Sequence, residues 1–317
     1  MKPTNLPFTG PAFLAPMEGV TESCFRDLVL RRNAADRLGG AFTEFARVVA
    51  VRLPRKTIQS HLGPERHTAP VGLQLMGQRE EMLAESARLA EEMGVPLVDL
   101  NFGCPAKGAL RSCAGAALLD DPRRMEELVR ACVDAVESIP VTAKIRAGGE
   151  DDSNLEEIAC AVEAGGASLL TVHCRTREER YRGNGDWERL RRAVAAVDIP
   201  VCGNGGIESH ADIERMISET GCRYVMVGRA ALADPWIFSG KRASREEALS
   251  FLLDYADLLT ERDGSTPMKV SGRLKQLIRH WRAGGLFDGE REWWLGQRDP
   301  QLLLGKLQAM SRRPAKP

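Results

Sequence analysis

The sequence predicts the α/β class: a (β/α)8 TIM barrel followed by a small C-terminal helical domain. Three observations predict it. Eight short apolar runs alternate with polar, helix-patterned stretches between Ala12 and Ala230, and strands alternating with helices build parallel βαβ units. The runs are apolar along nearly their whole length, as strands are when both faces of a sheet are covered. Glu18, Glu44, Gln74, Asn101, Lys144, His173, Asn204 and Arg229 all sit at or near the C-terminal end of their run. In a closed barrel those ends meet at one mouth, where the active site lies. An open doubly wound sheet is the competing arrangement; the count of eight and the shared end favour the barrel.

In order, the expected strands are "AFLAPM" (12–17), "GAFTEF" (40–45), "VGLQLMG" (71–77), "LVDLNFG" (97–103), "VTAKIRA" (141–147), "SLLTVHC" (168–174), "PVCGNGG" (200–206) and "YVMVGRA" (224–230). Two of the helices between them are well marked. "QREEMLAESARLAEEMG" (78–94) carries Met82, Leu83, Leu89, Ala90 and Met93 near helical spacing, and Gly94 stands where a C-cap belongs. "DPRRMEELVRACVDAVESI" (121–139) begins with Asp121 as cap and Pro122 as first helical residue. After about residue 240 only helical patterns remain. Leu249, Leu252, Leu253, Ala256 and Leu259 form an apolar stripe, and "PMKVSGRLKQLIRHW" (267–281) reads as a helix basic on one side. The chain therefore divides into a barrel domain, 1–240, and a helical domain, 241–317, joined by a segment short enough for the two to pack closely.

Composition narrows the function. Of 317 residues, 43% are hydrophobic and there is no low-complexity tract, which excludes a disordered chain. No run of about 18 apolar residues occurs, so no membrane span is expected. "MKPTNLPFTGPAFLAPMEG" has neither the apolar core nor the cleavage pattern of a signal peptide, and a cytoplasmic monomer is the expectation. Cys24, Cys104, Cys113, Cys132, Cys160, Cys174, Cys202 and Cys222 include no C-x-x-C pair. That spacing fits neither a zinc site nor a disulfide scaffold, so no metal is expected. The net charge is zero, but residues 264–317 hold eleven Lys and Arg against four Asp and Glu, a balance of +7. A basic tail on an acidic body is either a solvated helical face or the footprint of a polyanionic partner.

The last two strands run into "GNGGI" (203–207) and "VGRA" (227–230). Such glycines either make tight turns only or expose backbone N–H groups to a phosphate, as the loops after strands seven and eight of many barrels do. Asn204 and Arg229 can add side-chain donors. Lys144 lies within a strand, where a buried ammonium needs an anion or an electron-rich ring. His173 points to the same mouth. These parts suit flavin mononucleotide, with polar groups at the ring edge where negative charge builds on reduction; a sugar-phosphate isomerase could use them too. Cys104 follows the fourth strand between Gly103 and Pro105, a frame that aims its thiol. With a pKa near ~8.5 a thiol is mostly protonated at neutral pH and can give a proton to a carbon that has just accepted hydride. A nucleophilic role would want a base beside it.

"LAPMEGVTESCFRDLV", "GLQLMGQ", "VDLNFGCPAK", "VTAKIRAG", "TVHCRTREERYRG", "VCGNGGI" and "VMVGRAAL" together resemble the tRNA-dihydrouridine synthases across residues 12–240. "TEFARVV" (43–49) is most similar to the bacterial subfamily acting on uridine 16 of the D-loop. The resemblance implies flavin-dependent reduction of the uracil 5,6 double bond in tRNA. Hydride would pass from reduced FMN to C6, a proton from Cys104 to C5, and NADPH would reduce FMN again. It implies FMN contacts at Pro16, Met17, Glu18, Gln74, Lys144, His173, Asn204, Gly205, Gly206, Gly228 and Arg229. It implies that Asn101 touches the base and that Arg47, Tyr181, Arg273, Lys275 and His280 contact tRNA. One stretch departs from the family: the loop after the cysteine, of the type R-x-G-G-G-A, here reads "LRSCAGAALL" (110–119), with Cys113 and Ala114 where glycines are common. The competing readings are a flavin oxidoreductase for a small enoate or free pyrimidine, which needs no basic tail, and an RNA-binding barrel without catalysis, which needs no Cys104.

Overall fold

The computed structural model describes residues 5–311 apart from 181 and 184. Nine strands form one parallel sheet: β1 (Ala12–Leu14), β2 (Leu38–Phe42), β3 (Ala46–Val48), β4 (Val71–Gly77), β5 (Val98–Asn101), β6 (Val141–Arg146), β7 (Leu170–His173), β8 (Val201–Asn204) and β9 (Tyr224–Val227). Their spatial order is β2-β1-β9-β8-β7-β6-β5-β4-β3, and a further β2–β4 pairing closes the barrel. β2 pairs with the start of β4 (Ala41 with Val71) and β3 with its end (Val48 with Gly77). The two are thus one barrel strand with a break at Thr43–Phe45, and the closed barrel has the expected eight. The break has a cause. The Thr43 hydroxyl accepts the Gln74 N–H at 3.0 Å and donates to the Glu44 carbonyl at 2.8 Å, replacing ladder bonds.

Helices α1 (Ser23–Arg32), α2 (Arg55–Leu62), α3 (Glu80–Glu92), α4 (Lys107–Arg111), α5 (Pro122–Ala135), α6 (Leu155–Ala164), α7 (Glu188–Ala196), α8 (His210–Thr220) and α9 (Arg229–Ala233) connect the strands. Asp121 caps α5 as expected, accepting the Arg124 N–H at 3.0 Å ahead of Pro122. Strand side chains alternate with period two. Val98 and Leu100, Ala143 and Ile145, and Leu170 and Val172 join the large core that packs against the helices. The alternate residues fill the barrel. At its N-terminal end Phe13, Phe42, Leu97, Leu169, Cys202 and Met226 make an apolar layer closed by Leu6, Phe8 and Tyr224. Phe8 lies 4.1 Å from Phe13, ring centroid to ring centroid. Gly40 of β2 admits this plug: a Cβ there would stand 2.7 Å from the Phe8 ring.

α10 (Arg245–Asp263), α11 (Pro267–Ile278), α12 (Arg291–Gly296) and α13 (Pro300–Ser311) form the tail. α10 opens with a capping box of Ser244 and Glu247. Its apolar face carries the expected Leu249, Leu252 and Leu259 and also Phe251 and Tyr255, all buried. Phe251 lies 5.8 Å from Phe25 of α1 and 5.5 Å from Trp281, so the apolar core runs from barrel to tail without a gap. Polar ties surround it: Arg262 donates to Asp27 at 2.6 Å and also to Glu65, Tyr255 to Glu22, and Asn33 to the Pro235 carbonyl at 2.9 Å. No helix among the described residues is long and apolar enough to cross a membrane.

Candidate active site

The C-terminal ends of the strands open into a cavity of about 730 Å3. Its wall brings together Pro16, Met17, Glu18, Asn101, Cys104, Lys144, His173, Asn204, Gly205, Gly206, Gly228, Arg229 and, from the tail, His280. The remaining expected residues stand elsewhere. Gln74 is fully enclosed and does not line the cavity; it sits behind Asn101. Arg47 is exposed at the rim, its guanidinium 5.6 Å from the ring of Phe45, which does line the cavity. Arg273 donates to the Gly19 carbonyl, which ties α11 to the loop after β1. Lys275 donates to the Gln297 carbonyl within the tail. Tyr181 lies outside the described residues.

Cys104 owes its aim to the turn after β5. Asn101 Oδ1 accepts the N–H groups of Gly103 (3.1 Å) and Cys104 (2.9 Å). Arg146 Nε donates to the Gly103 carbonyl at 2.8 Å, and the Cys104 carbonyl accepts from Ala116 at 3.0 Å. Burial pushes the thiol pKa up and Glu18 adds to this; a backbone N–H at Ala106 and the cations Arg47 and Arg146 oppose it. The net effect keeps the thiol protonated at neutral pH. In the following loop Cys113 has φ of +49°, a left-handed conformation that costs an L-residue about 1–2 kcal/mol. A glycine at this position would carry no such cost, and this chain carries the strain. Ala114, with φ of −124°, carries none.

Beneath the mouth lies a buried polar layer. Lys144 of β6 is lowered to about 8, by burial first and then by Arg146, with Asp99 opposing. It remains a cation at neutral pH. Asp99 of β5 is raised to about 6 by burial, against hydrogen bonds from Thr142 and Gln74 and the charge of Lys144. His173 is held neutral: burial, then Lys144 and Arg146, push its pKa well below the usual value. Its Nδ1 accepts the Arg175 N–H at 3.2 Å, which leaves the proton on Nε2.

The loop after β8 is built for backbone approach. Gly205 and Gly206 have φ of +102° and +77°. A Cβ on Gly205 would stand 2.8 Å from Cys174 Sγ, and one on Gly206 2.8 Å from Trp187 Nε1. Trp187 Nε1 donates to the Gly205 carbonyl at 3.1 Å, and Asn204 Nδ2 to the Met226 carbonyl at 2.7 Å, bracing the loop against its neighbours.

Asp99, Arg146, Arg175 and Arg180 are site residues that sequence reasoning missed. Asp99 and Arg146 each lie two positions from an expected inward residue, Asn101 and Lys144, so strand alternation was the available signal. Away from the mouth, Asp27, Glu65 and His67 bring three ligand-type atoms within 4.8 Å of one another. The Arg262 guanidinium already bridges Asp27 and Glu65, so a cation occupies that cluster.

A cavity rich in donors, with a protonated thiol aimed into it, at the C-terminal mouth of a closed parallel barrel, makes the protein a (β/α)8 barrel enzyme. Comparison with known proteins narrows the class. The family described as dihydrouridine synthase (Dus) matches residues 13–292, and the chain belongs to it. A tRNA-dihydrouridine(16) synthase of Shewanella oneidensis is 42% identical over 230 residues, 70% of this chain and 72% of that one. The protein of that name from Salmonella typhimurium is 37% identical over 283 residues, 85% of this chain and 89% of its own. A probable tRNA-dihydrouridine synthase of Aquifex aeolicus is 37% identical over 262 residues, 80% of this chain and 81% of that one. Among solved structures, a complex of 2-naphthoyl-CoA reductase shares the fold at a TM-score of 0.56 and 12% identity, over 73% of this chain and 50% of that one.

Proposed function

We propose that the protein reduces the 5,6 double bond of a uracil in the tRNA D-loop, at position 16, with FMN as bound cofactor and NADPH as reductant. The observation that carries the reading is Cys104: a single thiol in the cavity wall, held protonated, on a turn fixed by Asn101 and Arg146. The names of the relatives from Shewanella and Salmonella support the substrate and the position.

The residues present fit FMN. The Gly205–Gly206 loop packs its glycines tightly against Cys174 and Trp187, so its bare backbone forms the cavity wall, a cradle suited to a phosphate beside Asn204, Gly228 and Arg229. The Lys144 ammonium and the His173 Nε2–H would donate to the electron-rich edge of the ring. Pro16, Met17 and Glu18 supply the wall after β1. A reduced FMN held there would supply the hydride that uracil C6 takes. Cys104 holds the proton that C5 then takes, and the thiolate left behind faces Arg47 and Arg146. Asn101 keeps that thiol in place. Residues 1–240 thus carry cofactor and chemistry, and 241–317 help hold the RNA.

The mouth is more basic than the neutral chain. Lys107, Lys144, Arg146, Arg175, Arg180 and Arg229 line it, against the one carboxylate of Glu18. Such a field draws in phosphate backbone and favours extrusion of a base toward the thiol. Arg47, Arg273 and His280 extend the surface toward the rim and tail. The test is mass-spectrometric mapping of nucleosides in tRNA treated with the protein and NADPH. Dihydrouridine at position 16 is the expected product; none at any D-loop uridine overturns the reading.

A further inference from the structure

We propose that Asp99 is a positioning residue for Cys104, acting through Gln74 and Asn101 along a chain of hydrogen bonds that has only one sense. Asp99 Oδ1 accepts from Thr142 Oγ1 at 2.6 Å and Oδ2 from Gln74 Nε2 at 2.7 Å. Gln74 Oε1 accepts from Asn101 Nδ2 at 2.7 Å, and Asn101 Oδ1 accepts the N–H groups of Gly103 and Cys104. The chain runs from β6 through β5 and β4 and back to the turn after β5. Asp99, Gln74 and Thr142 are fully buried within the barrel, so no water competes for these bonds.

The two ends set the sense. A carboxylate only accepts, and a backbone N–H only donates. Between them stand two carboxamides, each of which could turn end for end at little change in shape. Asp99 obliges Gln74 to present Nε2 inward and Oε1 outward. That oxygen obliges Asn101 to present Nδ2 to Gln74 and Oδ1 to the turn. If Asn101 were reversed, its NH2 would face two N–H groups and the turn would lose both bonds. A buried carboxylate is expensive unless its lone pairs are met, and apolar side chains elsewhere fill this barrel. Asp99 therefore does something an apolar residue could not: it gives the relay its direction.

The inference rests on Cys104 being the proton donor, and the test separates the two claims. The holoenzyme is compared with Asp99→Asn, Asp99→Leu and Gln74→Met. Three quantities are read: bound flavin by absorbance, Cys104 alkylation by iodoacetamide resolved by peptide mass spectrometry, and steady-state turnover on tRNA. Peptide resolution is needed because Cys113 and Cys160 are exposed. Asp99→Leu and Gln74→Met are expected to retain flavin and to alkylate Cys104 about fivefold faster, since a loosened turn exposes the thiol. Their kcat falls about 100-fold with KM for tRNA nearly unchanged, the effect of a misplaced reacting group. Asp99→Asn keeps an oxygen for Gln74 and gives its NH2 to the Thr142 hydroxyl, so it recovers most of that loss. Unchanged Cys104 alkylation in both disrupting variants overturns the proposal, as does an Asp99→Asn enzyme as impaired as Asp99→Leu. If Asp99→Leu does not fold, Gln74→Met, which leaves the carboxylate in place, decides alone. Altered alkylation in a protein whose parent forms no dihydrouridine would remove the proposed function and leave the positioning role standing.

Discussion

Cys104 and Asp99 place two proton-holding groups of opposite requirement in one site. Cys104 must keep its proton in order to give it, and burial raises its pKa above the ordinary thiol range. Asp99 without its proton can only accept, and burial raises it to about 6. The titratable groups facing Asp99 are Lys144 of β6 and Cys202 of β8. Lys144 stays charged up to about 8 and Cys202 lies well above the usual value, so neither titrates near Asp99. Protonation leaves Asp99 one oxygen to accept from Gln74 and an O–H for the Thr142 hydroxyl, the same pattern as Asp99→Asn, so turnover measured under saturating reductant should change little through pH ~6. It should fall at alkaline pH, above the ordinary thiol range, as the raised Cys104 thiol ionises. Asp99→Asn should keep the parent's profile; an acid limb near pH ~6 that this variant abolishes means that the charge of Asp99, and not only its acceptor oxygen, is required. Cys104→Ser should retain flavin and lose turnover by about 10²–10⁴-fold, the range for a removed general acid. The frame of Cys104 was legible in the sequence because a glycine and a proline flank it. Asp99 was not, since a carboxylate inside an apolar run becomes informative only when its neighbours across the strands are known. Gln74 was placed on the right strand and the right face, but one layer too deep to line the cavity.

At the level of elements, the strand ends do the positioning and the loops do the contacting. Strand existence was legible because apolar runs of this length recur eight times. Their edges were less so: β2 begins at Leu38 rather than at 40 and is interrupted at Thr43, a break set by the Thr43 hydroxyl meeting the Gln74 N–H of the neighbouring strand. The glycine loop after β8 was legible in both type and place. Its backbone makes a sharp prediction. Alanine at Gly205 would put a methyl group 2.8 Å from Cys174 Sγ at φ of +102°, so the loop must shift and carry its N–H groups away from the cradle. Gly205→Ala should emerge from gel filtration as folded protein with FMN content below that of the parent. Thermal unfolding should show a loss of about 1–3 kcal/mol, the range for a strained backbone site. Full flavin retention would show that the phosphate binds elsewhere. Gly228 is a different case: a Cβ there would meet Met17 Sδ at 3.5 Å, an ordinary contact. Alanine at that position should be tolerated better.

For the whole molecule, the sequence carried the two-part plan and the basic tail but not how the tail's charges are used. Ion pairs and carbonyl contacts between residues far apart in the chain are not encoded in any local pattern. Arg273 is committed to Gly19, Lys275 to Gln297, Arg291 to the carbonyls of Ile278 and Trp281, and Lys306 to Glu290. A cation already bonded within the protein adds little counterion release on binding RNA, so the formal +7 overstates the electrostatic grip. Arg279 differs: it is exposed at the end of α11, beside His280 on the cavity wall, and its field contributes to lowering the His280 pKa. Each phosphate neutralised steepens the dependence of log K on log salt by about 0.7 for single strands and about 0.9 for a duplex. Arg279→Ala should therefore weaken tRNA binding and flatten that slope by close to one such increment, with the melting temperature nearly unchanged. Lys275→Ala should do the reverse, lowering the melting temperature by loosening α11 from the Gln297 segment and leaving the slope as it was. Binding isotherms at four or five salt concentrations for the parent and both variants separate the two outcomes. A slope that flattens equally in both would mean that Lys275 leaves Gln297 to meet the RNA, and that the tail repacks when tRNA docks.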